Sequence, residues 1–213
     1  MGLPPDWLER LRTALASEPD HDPSTWRMSG RPVLGLDLLR AALPANPRAA
    51  AVLVPIIDRP GAPALLLTTR AGHLRHHAGQ ISFPGGRVEV SDASMVAAAL
   101  RETQEEIGIE ARYIEPLGFL PDHVVPTGFR ITPVVALVQP AFTLRVDASE
   151  VAETFEIPLE HLSHAENFLP TRRVLRGMEV LLHDVQYDGR VVWGATAGML
   201  QVMHALLTQR PWS

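Results

Sequence analysis

Residues 101–109, RETQEEIGI, constrain the fold and chemistry of this chain more than any other segment. On a helix predicted over Met95–Ile107, the carboxylates of Glu102, Glu105 and Glu106 stand at i, i+3 and i+4 and share one face. Three neighbouring carboxylates repel one another, which raises the pKa of at least one of them unless a cation is bound. The segment alone therefore leaves two interpretations open, a metal-binding face and a solvated acidic face.

The other face of the same helix is predicted to pack against the core. Its apolar stripe is formed by Val96, Leu100, Thr103 and Ile107. We expect Asp92 or Ser91 to cap the start of the helix, and Gly108 to end it. The glutamates, on this prediction, face a cleft or solvent.

The strands and helices around this segment predict an α+β protein, an α/β/α sandwich with a mixed sheet flanked by helices. A short strand at 81–83 and the turn Pro84-Gly85-Gly86 precede the glutamate helix, which gives a strand-loop-helix unit. Further strands are predicted at 51–57 and 64–69, which form a hairpin, and at 115–120, 131–139, 173–187 with a turn at Gly177, and 190–193. Further helices are predicted at 8–16, 34–43 and 196–208.

Composition limits the remaining possibilities. A chain of 213 residues with 46% hydrophobic and 20% charged residues predicts one domain, with an N-terminal helix and arm at 1–32 before a main body at 33–213. The net charge of -5 argues against nucleic acid as a partner. The lack of cysteine excludes thiolate zinc sites and suits a reducing cytoplasm, and the apolar runs are too short to span a membrane. We therefore expect a cytoplasmic protein.

The glutamate segment, taken with the preceding glycine, resembles the signature of the Nudix hydrolases. Gly86 opens the pattern, the Arg101 to Glu106 run carries its core, and Gly108 closes it. The spacing from Gly86 to Arg101 is one residue longer than in the general pattern, and Asp92 stands near the place of the usual first glutamate. Asp92 is therefore the predicted partner of Arg101. Thr103 replaces the usual aliphatic residue.

The segment before the signature narrows the resemblance to the coenzyme A pyrophosphatases. Residues 66–70, LLTTR, and 74–89, LRHHAGQISFPGGRVE, resemble that subgroup's pattern LLTxRSxxxRxxxGxVxFPGGxxD. Ala71, Ile81 and Glu89 are conservative departures, and the longer spacing is typical of the subgroup. The resemblance implies a Nudix fold and hydrolysis of coenzyme A to 3',5'-ADP and 4'-phosphopantetheine. A Nudix enzyme acting on ADP-ribose or NADH, and a non-catalytic nucleotide-binding protein, remain alternatives.

The resemblance also implies roles for individual residues. Mg²⁺ or Mn²⁺ would be bound by the three helix glutamates, with the carbonyl of Gly86. Catalysis would further involve Arg101 and an acid from a later loop, for which Glu150 is preferred over Glu153. The predicted substrate-binding residues are Arg70, Arg75, His77, Gly85 and Gly86. By analogy with the family, a homodimer is also open.

The histidines before the signature have two interpretations. His73, His76 and His77 have the spacing of a metal cluster on a helix, but Gly79 and the following strand argue against a helix there. Loop packing is favoured over a ligand role for His76 and His77. Arg70 and Arg75 either bind phosphate oxygens or pair with backbone carbonyls and acids on neighbouring strands. For Arg130 and His123, and for the four tryptophans, no site role is assigned.

Overall fold

The computed structural model describes residues 2–27, 31–32, 46–74, 77–175 and 177–209. These residues form three α-helices, twelve β-strands and three short 3₁₀ turns. The helices are α1 (Trp7–Ala14), α2 (Met95–Ile107) and α3 (Gly194–Thr208). The strands are β1 (Arg31–Pro32), β2 (Arg48–Ile57), β3 (Ala64–Arg70), β4 (Ile81–Ser82), β5 (Gly85–Arg87), β6 (Ile114–Phe119), β7 (His123–Val125), β8 (Phe129–Val138), β9 (Val151–Pro158), β10 (Phe168–Leu175), β11 (Met178–Tyr187) and β12 (Arg190–Val192). The helix predicted at 34–43 lies outside the described residues.

The larger of two sheets contains eight strands and is mixed. Strands β2 and β8 run parallel over ten residue pairs, whereas the other pairings of this sheet are antiparallel. The short strand β5 pairs with β2 on the side opposite β8, and β7 pairs with the far side of β8. The strands β5, β2, β8 and β7 are therefore consecutive neighbours in the sheet, and β5 carries the Gly85-Gly86 turn.

The smaller sheet is built on the β10–β11 hairpin, with β1 and β12 pairing β11. The hairpin confirms the predicted turn at Gly177, although its first strand begins at Phe168 rather than at residue 173. The predicted hairpin of β2 and β3 is confirmed as an antiparallel pair. Strands β7 and β9 were not predicted, because β7 is only three residues long and β9 has no alternation of buried and exposed residues.

Two apolar clusters, one on each face of the larger sheet, give the three layers that the sequence predicts. Residues Ala98, Ala99 and Ile107 of α2 are buried on one face against Leu53 and other residues of β2 and β8. The opposite face carries a larger cluster that includes residues of α1, α3 and the smaller sheet. Leu11 of α1 is fully buried in this second cluster, so the N-terminal helix packs into the main core. Within the described part of the chain, no helix is long and apolar enough to cross a membrane.

Helix α2 matches its predicted bounds, but its cap differs from the prediction. Ser94 is the N-cap, and its hydroxyl accepts a hydrogen bond from the Ala97 amide at 3.1 Å. The predicted caps, Asp92 and Ser91, were wrong because Asp92 is bound elsewhere, as described below. Gly108 ends the helix in the left-handed conformation (φ 75°), and a β-carbon there would lie 2.7 Å from Cβ of Arg145.

His123 of β7 is a buried titratable side chain beneath α3. Its side chain is 1% exposed, and Nδ1 lies 3.0 Å from the carbonyl oxygen of Pro121. Burial lowers the pKa of His123 from 6.5 to about 4, because the charged imidazolium would lose its hydration. This burial leaves His123 no access to a nucleotide. Arg130, its neighbour along the sheet, pairs with the buried carboxylate of Asp122 at 3.3 Å.

We expect the stability of the protein to fall as the pH drops from about 6.5 towards 4. In that window the unfolded histidine binds a proton and the folded one does not, so the free energy of unfolding decreases with decreasing pH. Across this window, the titration of His123 lowers the free energy of unfolding by about 3 kcal/mol in total. Urea unfolding at several pH values measures this slope in the wild type and in His123→Phe. Equal slopes in the two proteins would contradict the assignment.

Candidate active site

The Gly85-Gly86 turn is held against β2 so closely that only glycine fits. The amide of Leu53 donates to the carbonyl of Pro84 at 2.9 Å, and β5 then pairs with β2. Gly85 has φ 149°, and a β-carbon there would lie 2.4 Å from the carbonyl oxygen of Ala51. At Gly86 a β-carbon would lie 2.6 Å from the carboxylate of Glu102. The turn therefore brings backbone directly against the glutamate helix.

Arg101 is the centre of a network that joins α2 to the segment before it. Its Nε and Nη2 donate to the two oxygens of Asp92 at 3.0 and 2.9 Å, which confirms the predicted pairing. Nη1 donates to Glu102 and to Glu105, both at 2.9 Å, and Nη2 also donates to the carbonyl of Arg87 at 3.1 Å. The Arg101 guanidinium holds the pKa of Asp92 below its ordinary value.

The apolar stripe of the helix predicts that Glu106 faces a cleft or solvent, but its side chain is almost fully buried. Its Oε2 accepts a hydrogen bond from the Gly85 amide at 3.1 Å, and its Oε1 lies 3.8 Å from Nη1 of Arg70. Burial raises the pKa of Glu106 to about 7, with repulsion from Glu102 and Glu150 adding to it. The helix turns this carboxylate inward because Ile107 and Thr103, its neighbours on α2, are core residues.

Glu102 and Glu105 differ from Glu106 and from each other in burial. Burial raises the pKa of Glu102, the Arg101 guanidinium opposes this shift, and the charges of Glu105 and Glu150 add to it. Glu105 is exposed, and it forms an i, i+4 salt bridge with Arg101 on the helix surface. The three predicted glutamates therefore form a gradient from solvent to core.

Glu150 lies in the turn that precedes β9 and is close enough to raise the pKa of both Glu102 and Glu106. Asp147 forms this turn: its carboxylate accepts hydrogen bonds from the amide and hydroxyl of Ser149 at 2.8 and 2.7 Å. The amide of Asp147 donates to the carbonyl of Glu106 at 2.9 Å, so the turn is anchored to the end of α2. The structure thus brings Glu150 to the glutamate helix.

Glu153, the other acid of this segment, lies on β9 and is committed to different partners. It accepts hydrogen bonds from Nε and Nη2 of Arg190 at 3.2 and 3.3 Å, and from the Thr69 hydroxyl at 3.3 Å. These bonds hold the pKa of Glu153 below its ordinary value. Glu153 therefore joins β9 to β12 and β3.

The carboxylate cluster fits a hard divalent cation by its charge and donor type. It gathers five carboxylates (Asp92, Glu102, Glu105, Glu106 and Glu150) around two guanidinium groups (Arg70 and Arg101). Among the described residues, no three acidic or histidine side chains converge in a geometry ready to hold a metal ion. Nη1 of Arg101 donates to one oxygen each of Glu102 and Glu105. Oxygen ligands of this kind are those that Mg²⁺ and Mn²⁺ prefer.

A cleft of about 530 Å³ opens beside this cluster, within the volume range of small-molecule sites. Its floor is formed by residues of β2 and β8, and its walls by the β7–β8 turn, Leu182 of β11 and the start of α3. Of the predicted substrate-binding residues, Arg70, His77, Gly85 and Gly86 line the cleft. Arg75, together with His76, lies outside the described residues.

Several lining residues were not predicted, among them Trp193, for which the sequence indicates no site role. Phe129, Arg87 and Trp193 line the cleft, the last at the start of α3. The guanidinium of Arg48 lies 4.2 Å from the Phe129 ring centroid, and that of Arg173 lies 4.8 Å from the Trp193 ring. Single residues on separate strands leave no spacing pattern, so no sequence signal identifies them.

His77 and His73 have local partners in the structure. Nδ1 of His77 lies 2.5 Å from Oε1 of Gln80, with His77 at φ 59°, and Nε2 of His73 lies 3.1 Å from the carbonyl of Ser149. His77 is exposed and lines the cleft, whereas His73 ties its loop to the Asp147 turn. The described residues on either side, 71–74 and 77–80, lie in turns rather than in a helix, which agrees with the prediction from Gly79.

We expect Arg101→Lys to lower the free energy of unfolding by about 2 kcal/mol, because lysine cannot replace the paired bonds to the buried Asp92. Urea unfolding at pH 7 measures the change. Arg112→Lys is the matched control, since Arg112 pairs with Glu110 on the surface and its loss is expected to cost less than about 0.5 kcal/mol. Equal effects of the two substitutions would contradict the central role of Arg101.

Comparison with known proteins agrees with this geometry. The model of the NUDIX domain matches residues 47–184. An uncharacterized Nudix hydrolase NudL from Shigella flexneri serotype 5b is 42% identical over 168 residues, 79% of this chain and 87% of the relative. A protein of the same name from Salmonella paratyphi B is 43% identical over 166 residues, 78% of this chain and 86% of the relative. The crystal structure of the Nudix hydrolase RenU from M. smegmatis has a TM-score of 0.52 at 20% identity, covering 79% of this chain and 90% of that chain, and supports the fold alone.

The extent of the family match and the identity to these relatives decide the family. The matched residues include β2 to β10, the Gly85-Gly86 turn and the whole of α2. The predicted fold and the prediction of an enzyme are confirmed. The chain belongs to the Nudix family and is a Nudix pyrophosphohydrolase.

Proposed function

We propose that this protein hydrolyses the pyrophosphate bond of coenzyme A, giving 3',5'-ADP and 4'-phosphopantetheine. The observation that carries the proposal is the cleft that meets the carboxylate cluster at Gly85 and Gly86, with Arg70 between the two. Because the cleft adjoins the acids, the diphosphate of a bound substrate could lie at the acids while a group attached to that diphosphate occupies the cleft. The segment 66–89, which resembles the coenzyme A pyrophosphatases, supplies Arg70, His77 and both glycines to this junction.

The acids of α2 would hold Mg²⁺ or Mn²⁺ in this reaction. Glu102, Glu105 and Glu106 would supply the carboxylates, and the carbonyl of Gly86 would be a further oxygen donor. When bound, a divalent ion neutralises charge on the phosphate oxygens and lowers the pKa of a coordinated water. Arg101 positions Glu102 and Glu105 through its bonds to both.

The reaction needs a water to attack one phosphorus while the bridging phosphorus–oxygen bond breaks. Glu150 is the proposed acceptor of the proton from that water, since its charge acts on Glu102 and Glu106 and its turn is tied to α2. The departing oxygen remains on the other phosphate group, so each product carries one of the two phosphates. The chain's acids thus divide between cation binding and proton transfer.

Substrate phosphates would be bound by the basic residues of the opening. The guanidinium of Arg70 lies beside Glu106 and can donate two hydrogen bonds to a phosphate. Arg75 and the exposed His77 are further candidates, and Gly85 and Gly86 would let the diphosphate approach the backbone. We further propose that the protein acts in the cytoplasm; assembly as a homodimer rests on family analogy alone.

Product analysis tests the substrate. We expect purified protein with Mg²⁺ or Mn²⁺ to release 3',5'-ADP from coenzyme A faster than it cleaves ADP-ribose, NADH or a dinucleoside polyphosphate. Reactions without metal are the control, and chromatography identifies the products. Faster cleavage of ADP-ribose or NADH would favour the alternative, a Nudix hydrolase with another nucleoside diphosphate substrate. No cleavage of any of them would refute the coenzyme A assignment and would mean that this Nudix hydrolase acts on a substrate of another class.

We expect Glu106→Gln to lower kcat at least a hundredfold, because a neutral glutamine side chain cannot offset the charge of a bound cation. The backbone N–H of Gly85 would also lose its carboxylate acceptor and keep only the weaker side-chain oxygen of glutamine. Steady-state kinetics at saturating Mg²⁺ measures the loss. Glu110→Gln, just beyond the helix on an exposed position, is the matched control and is expected to keep its rate. An unchanged rate in Glu106→Gln would refute the assignment of this acid.

We expect Glu150→Gln to lower kcat at least tenfold and to change the pH dependence of the rate, because the proposed proton acceptor is lost. Glu153→Gln is the control on the same segment, since its partners are Arg190 and Thr69. Rates across pH 6 to 9 separate the two. A larger loss in Glu153→Gln than in Glu150→Gln would reverse the assignment.

A further inference from the structure

We propose that the N-terminal strap, residues 16–27, positions the walls of the cleft, and that the pair formed by His21 and Asp122 holds the strap in place. The inference rests on the proposed function, because it assigns these residues to substrate binding at the same site. The strap lies outside residues 47–184, which match the NUDIX domain, so the family domain does not account for it. Bonds that attach this part of the chain to two walls of the cleft carry the inference.

The strap is bonded to the larger sheet at both of its ends. At one end the amide of Ala16 donates to the carbonyl of Phe119 at 3.2 Å, and the amide of Phe119 donates to the carbonyl of Ala16 at 2.9 Å. At the other end the amide of Arg27 donates to the carbonyl of Asp122 at 2.7 Å, and the carbonyl of Arg27 accepts from the amide of Val124 at 2.9 Å. Arg27 is thereby paired with β7 and continues the sheet beyond it.

Between these two ends, His21 joins the strap to a fully buried carboxylate. Oδ2 of Asp122 lies 2.8 Å from Nδ1 of His21 and 3.3 Å from Nε of Arg130. Oδ1 of Asp122 accepts a hydrogen bond from the hydroxyl of Thr132 at 2.7 Å. Burying a carboxylate is unfavourable without such partners, and two of the three belong to β8. One carboxylate therefore connects the strap to β8, and its partner His21 is 36% exposed and can be replaced without leaving a buried cavity.

The residues that follow Asp122 form one wall of the cleft. Val124 and Val125 of β7 line it, together with the turn that leads into β8. The amide of Val124 is the group that donates to the Arg27 carbonyl, so a backbone bond of the strap ends in the wall itself. Displacement of the strap would therefore remove a bond that fixes this wall.

The chain that follows the strap is attached to a second wall of the cleft. Arg31 of β1 pairs with Leu181 of β11, and the next residue of β11, Leu182, lines the cleft. Arg31 is only four residues beyond Arg27, and a chain of this length spans at most about 14 Å. Because the strap is bonded to β7 and its continuation to β11, the two walls can separate only within this limit.

Walls that are fixed before the substrate arrives reduce the conformational entropy that binding costs. Release of the strap should therefore weaken substrate binding. The acids of α2 are held by other bonds, those of Arg101 and of the Gly85 amide, so the chemical step should keep its rate. A higher KM with little change in kcat is the expected result of releasing the strap.

Kinetics of His21 variants with coenzyme A and Mg²⁺ test the proposal. We expect His21→Ala to raise KM roughly three- to tenfold and to leave kcat within about twofold, because the strap loses its bond to Asp122. His21→Asn should restore the wild-type KM, since its side-chain amide can place an N–H where Nδ1 lies. His164→Ala is the matched control, because His164 is also a partly exposed histidine paired with an acid, Glu166, and it should keep the wild-type KM.

The possible outcomes separate this inference from the proposed function. Cleavage of coenzyme A with the same KM in the wild type and in His21→Ala would overturn the inference and leave the proposed function intact. A raised KM that His21→Asn does not restore would overturn it too, since loss of the bond to Asp122 would not be the cause. Failure of the wild type to cleave coenzyme A would refute the proposed function, and this inference with it.

Amide hydrogen exchange adds a measurement that does not depend on turnover. We expect residues 123–127 to exchange faster in His21→Ala than in the wild type, because the strap no longer protects β7, while α2 keeps its wild-type exchange. His164→Ala is again the control and should exchange as the wild type does. Equal exchange of residues 123–127 in all three proteins would overturn the proposal.

Discussion

The bonds made by one guanidinium group, that of Arg101, hold the parts of this active site together. They join the β5 segment, the loop before the helix and two glutamates of the helix in a single network. The cost of burying Asp92 is offset only while Arg101 remains in place, so the loop and the helix depend on the same charge pair. The bond from Arg101 to the carbonyl of Arg87, the residue after Gly86, also ties the Gly85-Gly86 turn to this network.

The second constraint is an excess of negative charge in a partly buried place. Glu106 lies at the boundary of the core, where burial and neighbouring acids favour its protonated form, while the Gly85 amide and Arg70 favour the charged form. The two guanidinium groups of the cluster do not neutralise its five carboxylates, so the cluster lacks positive charge. A divalent cation supplies that charge, and a substrate diphosphate can share it. In this way the electrostatics of α2 connect the fold to the chemistry that we propose.

The sequence predicts local features well and features that depend on distant contacts poorly. The bounds of α2, its end at Gly108 and the pairing of Arg101 with Asp92 could be predicted, since each depends on residues close in sequence. Ser94 was missed as the cap because Asp92 is an equally good capping residue by type, and only its bonds to Arg101 remove it from that role. The burial of Glu106 depends on the β5 turn and on the core below it. Trp193 reaches the cleft only because the smaller sheet and α3 pack beside β8.

The site beyond α2 shows the same division between local and distant information. Glu150 was predicted from its place before a strand-like segment, and the structure brings it near Glu102 and Glu106. What fixes it there, the Asp147 turn bonded to the end of α2, joins residues far apart in sequence and has no signature of its own. The lining of the cleft likewise gathers single residues from β7, β8, β11 and the start of α3.

The most direct test of the central claim, that the acids of α2 form a cation site, is calorimetric titration with Mn²⁺ in the absence of substrate. We expect the wild-type protein to bind Mn²⁺ and the Glu102→Gln variant to bind it at least tenfold more weakly, while Glu110→Gln binds as the wild type does. Equal affinities in the three proteins would contradict the claim, because the cation would then be bound elsewhere on the chain.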